Sequence, residues 1–450
     1  MSNERSSFTG KIGFVLAAAG SAVGLGNIWR FPYLAAKYGG GIFLFVYLIL
    51  SVTFGFALMV TEIAIGRKTG LSAIGAYKKL NSKFSFIGWL GALIPMIILP
   101  YYSVIGGWVT KYLFTFIAGP EAAMTGGMTF FGNFIAQPAE PLVWFLIFLG
   151  ITAAVVFLGV EKGVEKVSKI MMPILIFLSG VIAVYSMCLP GAWEGVLYYI
   201  TPDFSKFSIR LVLGAMGQLF YSMSLAMGIM ITYGSYMKKD VNIESSVHQI
   251  EIFDTGIAFL AGLMIVPATY VFSGGGNIDK GPGLMFGTLP QVFEGMFGGQ
   301  FIGALFFLLV LFAALTSSIS LMETVVSIVQ DKLHWKRSTS CLVVFHGALL
   351  LGVPSSLGNG LWSSVKLLGM DILSFFDFLS NSVMMPAVAL MTCVFVGYVL
   401  KPKALIEEVE LSSRFRGKKL FTVIVKYIAP IFILLILVSS VLDALKIVTI

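Results

Sequence analysis

Two stretches of this chain carry backbone chemistry that a plain apolar helix would not. One reads Gly20-Ser21-Ala22-Val23-Gly24-Leu25-Gly26-Asn27, with three glycines in seven residues; the other reads Tyr221-Ser222-Met223-Ser224-Leu225-Ala226-Met227-Gly228. A glycine costs a helix about 1 kcal/mol against alanine, so both are places where a helix comes apart, and both sit inside apolar runs. Unwound peptide groups in hydrocarbon cost several kcal/mol each unless something satisfies them. Freed carbonyls are hard oxygen donors for a small hard cation, and freed amides at a half-helix N-terminus suit a carboxylate. A site with both kinds of end holds a zwitterion and a metal ion together, which is the physical requirement of cation-coupled amino-acid transport. Close helix–helix packing through small residues is the alternative reading of either stretch taken alone; two matched breaks favour a site.

Asp254 stands among Phe253, Ile257 and Phe259, and an ionisable residue in such surroundings is either functional or a structural hydrogen-bond anchor. Thr316, Ser317 and Ser318 follow Ala313-Ala314-Leu315 in another apolar run. Such hydroxyls either bond back to their own helix or face a cation. Glu62 is expected to satisfy the free amides of the first break. His248, His334 and His346 are the only histidines, and none has metal-ligand spacing with another, so an enzyme is not indicated.

The elements that must position these groups are set by composition. Of 450 residues, 58% are hydrophobic and 12% charged, against about 25% charged in an ordinary soluble chain. Runs of about 20 apolar residues, enough to cross roughly 30 Å of hydrocarbon, recur throughout. The bilayer is therefore the solvent. Eleven spans are expected, at about 11–36, 41–66, 86–117, 142–160, 166–188, 209–236, 243–273, 300–330, 339–356, 370–400 and 421–445. The net charge of +8 gathers in alternate loops (Arg67 to Lys83, Lys162 to Lys169, Lys238 and Lys239, Lys332 to Arg337, Lys401 to Lys419), while residues 119–141 hold no Lys or Arg. That pattern places the N-terminus in the cytoplasm and the C-terminus outside, and it argues against nucleic acid as a partner. The polar residues 1–10 lead into a helix too long for a signal-peptide core, so no cleavable leader is expected. Cys188, Cys341 and Cys393 offer no outer-loop pair for a disulfide. The glycine- and proline-rich segment 274–299 is either a cap over an outer vestibule or a linker. No soluble stretch is long enough to fold alone, so one membrane domain is expected. Five spans separate the two breaks, as in inverted-repeat transporters with a mid-membrane site.

The run Ala17-Ala18-Ala19-Gly20-Ser21-Ala22-Val23-Gly24-Leu25-Gly26-Asn27-Ile28-Trp29-Arg30-Phe31-Pro32-Tyr33 resembles the first-helix signature of the neurotransmitter:sodium symporters, bacterial branch. Gly39-Gly40-Gly41, Tyr101-Tyr102, Gly217-Gln218, Ser235-Tyr236 and residues 313–318 add to it, so the resemblance covers nearly the whole chain. It implies an all-α integral membrane fold: a five-plus-five inverted repeat with helices 1 and 6 unwound at mid-membrane, plus one extra helix. The halves would be about 11–188 and 209–400, with the final helix at about 421–445.

The resemblance also implies a site. A first sodium would meet the Ala22 carbonyl, Asn27, Ser222, Asp254 and the substrate carboxylate. A second would meet the carbonyls of Gly20, Val23 and Ala313 and the hydroxyls of Thr316 and Ser317. The substrate carboxylate would face the Leu25 and Gly26 amides and Tyr102. Its amine would face carbonyls near Ala22, Tyr221 and Ser222, with Ser224 close by. Ile98, Tyr102, Tyr221, Ser224, Met227, Ser317 and Leu321 would line the side-chain pocket. Arg30 with Asp377 would form an outer gate above a Tyr102–Tyr221 lid. Arg5 with Asp331 would form an inner gate, helped by Phe8, Ser235, Tyr236 and Glu323. Gly163 and Pro173, nine residues apart, resemble the family's point of unwinding in the fifth span, which opens a water path to the second sodium.

Departures are informative. Many animal members carry Asn where Asp254 stands and need chloride nearby; here Tyr47, Gln218 and Ser222 remain, but Ala258 replaces an expected Ser. Asp254 already supplies a fixed negative charge, so chloride independence is expected. Tyr221 is commonly Phe in the family, and Ala226 commonly Gly. The expected function is import of a small neutral amino acid, apolar or aromatic, across a bacterial inner membrane with two sodium ions. A proton-coupled transporter and a non-transporting amino-acid sensor are the alternatives. No feature of the sequence sets oligomeric state.

Overall fold

A backbone in hydrocarbon has no water to bond, so apolar runs of this length wind into helices that satisfy their own peptide groups. The computed structural model describes residues 7–273 and 282–444. Among them all regular structure is helical, apart from two isolated bridges. Nine helices are long and apolar enough to cross a bilayer, from Gly41–Thr69 to Lys418–Leu442. A tenth span is the pair Lys11–Ala22 and Gly26–Lys37, bent by 54° at the first break. The eleventh is Ile209–Ser222 followed by Ile229–Ser235, with six non-helical residues between. The eleven expected spans and the fold class are therefore present, with ends displaced by a few residues.

The two broken spans cross at the centre. The first packs on the fifth, seventh and eighth, and the inner half of the sixth packs on the second. The last contact is close because Gly66 lies against the Ile231 carbonyl and Gly234 against that of Ile63. Small residues let membrane helices approach in this way.

Short helices that the sequence pattern did not reveal join the spans: Ala73–Leu80, Glu121–Ala136, Ala192–Ile200 and Pro402–Val409. Of the segment 274–299, residues 274–281 lie outside the described residues. The remainder is packed helix (Gly283–Thr288 and Leu289–Glu294) rather than linker. Phe286 stacks on Phe131 at 4.9 Å and meets Trp29 and Trp108 edge-on, while Tyr112 donates to its carbonyl at 2.9 Å.

The fifth span is continuous at the point where the resemblance implies unwinding. It runs without interruption from Val160 to Met187. At Gly163 it is only widened, with the Val164 amide reaching back five residues to the Gly159 carbonyl at 3.1 Å. Glu165 secures this turn, receiving the Thr9 amide at 2.9 Å and Lys169 at 2.6 Å.

Candidate substrate and cation site

The first helix ends at Ala22, where Val23 turns to an extended conformation (φ −74°, ψ 100°). The freed Gly24 amide is taken by Asn27 Oδ1 at 3.1 Å, and the Leu25 amide faces the Tyr102 hydroxyl at 3.4 Å. The sixth-span break is tighter. Ser224, Ala226 and Gly228 alternate into the left-handed region, with φ of 52°, 62° and 75°, which costs an L-residue roughly 1–2 kcal/mol. Glu62 bears part of that load: its Oε1 accepts the Ala226 amide at 2.6 Å. This corrects the expectation that Glu62 serves the first break. The second span packs on the inner half of the sixth, so its carboxylate meets the second break. Ser224 Oγ donates to the Ser21 carbonyl at 2.9 Å and links the two breaks directly.

Asp254 is fully buried and joins both breaks. Its Oδ1 accepts from Asn27 Nδ2 at 2.8 Å and from Ser222 Oγ at 2.7 Å, and its Oδ2 accepts from Tyr47 at 3.1 Å. Gln218 donates to the Gly26 carbonyl at 2.9 Å while its own buried oxygen has no partner among the described residues. On the other side of the first break, Ser317 Oγ lies 3.4 Å from the Gly20 carbonyl and 3.3 Å from that of Val23. Thr316 Oγ1 lies 3.1 Å from the Ala313 carbonyl. Both sets are hard oxygen donors. Among the described residues no group of three or more His, Cys, Asp or Glu could hold a metal ion.

Between these two clusters lies a cavity with about 40 Å³ of free space, room for a few water molecules. Its walls are the Ala22, Leu25 and Gly26 backbone with Ile98, Tyr102, Tyr221, Ser222, Ser224, Met227, Ser317 and Leu321. Every residue expected at the substrate site is thus in one place. Gly24 fits because a Cβ there would stand 2.7 Å from Ser317 Oγ and 3.2 Å from the Tyr102 hydroxyl. A Gly24→Ala variant is expected to weaken amino-acid binding at least tenfold, since those hydroxyls must shift by tenths of an ångström or more. Equilibrium binding on purified protein measures this.

The outer gate differs from expectation. Arg30 and Asp377 do not form an ion pair. Arg30 lies over the Tyr221 ring, 5.3 Å from its centre. Asp377 is held on its own side by Asn381 at 2.7 Å and Tyr101 at 3.3 Å. Arg5 lies outside the described residues, and Asp331 accepts the Ser72 amide at 2.7 Å.

The other residues expected at the inner gate are packed together. Phe8 is buried against Phe14, Tyr233 and Tyr236, with its amide on the Tyr236 carbonyl. Glu323, fully buried, accepts from Tyr236 at 2.8 Å and forms an ion pair with Arg337, which also donates to the Val156 carbonyl. Sequence reasoning missed Arg337. The available signal was Glu323 itself, because a carboxylate inside a span implies a cationic partner.

The chain matches the family described as the Sodium:neurotransmitter symporter family over residues 5–130 and 132–448. It is 37% identical over 443 residues to an uncharacterised sodium-dependent transporter, YhdH, of Bacillus subtilis (strain 168), covering 95% of this chain and 96% of that one. A second uncharacterised sodium-dependent transporter, from Haemophilus influenzae, is 34% identical, with 97% and 98% covered. A solved structure, that of MhsT in complex with L-phenylalanine, superposes with a TM-score of 0.88 at 37% identity, covering 97% of this chain and all of that one.

Proposed function

The chain belongs to the Sodium:neurotransmitter symporter family of sodium-dependent transporters, and from that premise we propose that it imports a neutral, apolar or aromatic amino acid together with two sodium ions by alternating access. The observation that carries this reading is the meeting of both helix breaks on the buried Asp254 carboxylate, through Asn27 on one side and Ser222 on the other.

One sodium takes Asp254, Ser222, the Ala22 carbonyl and Asn27, whose Oδ1 turns from the Gly24 amide toward the ion. The other takes the carbonyls of Gly20, Val23 and Ala313 with Thr316 and Ser317. The substrate carboxylate meets the Leu25 and Gly26 amides and Tyr102 beside the first ion. Among the described residues no charged side chain lines the cavity, so a neutral substrate fits. Ile98, Met227 and Leu321 favour an apolar one, and MhsT, the structural relative, is solved with phenylalanine. The free space is small, so an aromatic side chain requires the wall to give, and the thioether of Met227 is suited to that. Asp254 stands between Tyr47 and Ser222, where its charge makes chloride dispensable.

The basic loops orient the protein in a bacterial inner membrane with its N-terminus in the cytoplasm and its C-terminus outside. The halves 11–188 and 209–400 and the final helix 421–445 act as one domain. Arg30 pairs with Asp377, and Arg5 with Asp331, in states that close the respective side.

Two charges falling through 100 mV release about 4.6 kcal/mol, and a tenfold gradient adds about 1.4 kcal/mol per ion. The sum, about 7 kcal/mol, sustains an accumulation of order 10⁵, against roughly 500-fold for one ion.

The test is binding competition across the twenty amino acids on purified protein, in sodium and with choline replacing it at fixed pH. Apolar and aromatic amino acids should compete and ionised ones should not, and choline should abolish binding. Undiminished binding in choline would favour proton coupling instead, and binding without flux in vesicles would mark a sensor.

A further inference from the structure

The seventh span presents His248, Ile252, Thr255 and Phe259 along one face, the i, i+4, i+7, i+11 spacing of a single helical stripe. Opposite stand Leu44, Leu48 and Val52 of the second span, and between them runs a groove of about 710 Å³. Leu48, Val52 and Ile252 are 42, 52 and 69% exposed, so the groove opens outward rather than into the protein. From His248 to Phe259 is eleven residues, roughly 16 Å of helix. That is about half the thickness of the hydrocarbon core, the depth of one leaflet.

At its lower end the groove shares His248 with a second cavity, of about 1040 Å³, on the side of the basic loops. Arg414, Arg416, Lys418 and Lys419 line it. Lys418 pairs with Glu410 at 3.3 Å, while Arg414, Arg416 and Lys419 form no ion pair among the described residues. Among the described residues the one acid lining this cavity is Glu244, and it is already engaged, accepting the amides of Arg416 and Gly417 at 3.0 and 2.8 Å. Ser413 adds a buried hydroxyl with no partner among the described residues. In the groove, Glu251 is buried and held by His248 at 3.0 Å. A basic recess at the membrane surface thus continues into an apolar channel one leaflet deep.

We propose that these two cavities form one binding site for an anionic phospholipid, with its phosphate among Arg414, Arg416 and Lys419 and one acyl chain in the groove between the second and seventh spans. Basic pockets beside membrane helices recognise anionic headgroups by this chemistry. Chain length and charge both match a lipid of the leaflet facing the basic loops. The lipid bears on transport through position. Glu244 ties residues 416–417 to the start of the span that carries Asp254, so an occupant here braces that span.

The test is native mass spectrometry and thermal melting of the full chain with dioleoyl phosphatidylglycerol, dioleoyl phosphatidylcholine or glycerophosphate added. Phosphatidylglycerol should bind in preference to phosphatidylcholine and raise the melting temperature. Neutralising three bases, at about fivefold each, should weaken it by roughly 100-fold in an Arg414→Gln/Arg416→Gln/Lys419→Gln variant. That variant should keep sodium-dependent amino-acid binding, which shows that it folds. Ile252→Trp, which fills the groove, should weaken phosphatidylglycerol at least tenfold and leave glycerophosphate unaffected. Equal lipid binding by the triple variant would overturn the proposal. So would glycerophosphate binding as tightly as the lipid, which would mark a site for soluble anions.

Discussion

An Asp254→Ala variant is expected to need at least 30-fold more sodium to bind its amino acid, and to lose uptake at physiological sodium. Asp254 is fully buried and receives Asn27, Ser222 and Tyr47, so its charge is directed at one small space between the breaks. Truncating one partner of a buried charge contact costs about 2–5 kcal/mol, or roughly 30-fold to several-thousand-fold. The second cluster, at Thr316 and Ser317, lies on the other side of the first break and should keep its own ion. Part of the sodium dependence should therefore survive in the variant, with a shallower response. Titrating sodium against binding of a fixed amino acid measures both effects. An unchanged sodium requirement would remove Asp254 from the site, and its three donors would then be a structural anchor.

The second large effect is expected at the inner face. Glu323 has no exposed surface, and among the described residues Arg337 supplies its one ion pair while also holding the Val156 carbonyl. Tyr236, at the end of the broken sixth span, donates to the same carboxylate at 2.8 Å. Four spans are thus tied at one buried charge. An Arg337→Ala change leaves that charge uncompensated, at a cost of about 3–5 kcal/mol. The variant should melt lower in denaturant or heat. Adding Glu323→Gln should restore most of the stability, because a neutral amide still accepts from Tyr236 without needing a cation. If Arg337→Ala melts with the parent, the pair does not hold the inner face.

What could be read from the residues follows from how strongly the bilayer constrains a chain. Hydrocarbon permits few alternatives to long apolar helices, so the spans were legible to within a few residues. Clustered Gly and Ser betrayed both breaks because such residues are poor helix formers wherever they sit. Asp254 was legible because an ionisable group in an apolar run requires an explanation.

The remainder depended on tertiary neighbours. Glu62 was assigned to the wrong break because sequence does not say which helix the second span faces. Arg337 lies on a different span from Glu323, and no local periodicity connects them. The helices Ala73–Leu80 and Pro402–Val409 are short and carry charge, so they lacked the apolar length that marked the spans. The left-handed turn at Ala226 could not be foreseen, since alanine gives no conformational warning. Arg30 and Asp377 are separated by nearer partners, the Tyr221 ring for one and Asn381 and Tyr101 for the other, which spacing along the chain does not reveal.

The joint occupation of the two breaks by ions and amino acid is most directly tested through linkage. Amino-acid affinity should be measured on purified protein at a series of sodium concentrations below saturation, and sodium affinity with and without the amino acid. If both ions bind beside the substrate, the logarithm of affinity should rise against that of sodium with a slope approaching two, and each ligand should tighten the other by the same factor. A slope of zero, with either ligand indifferent to the other, would contradict a shared site at the meeting of the broken helices.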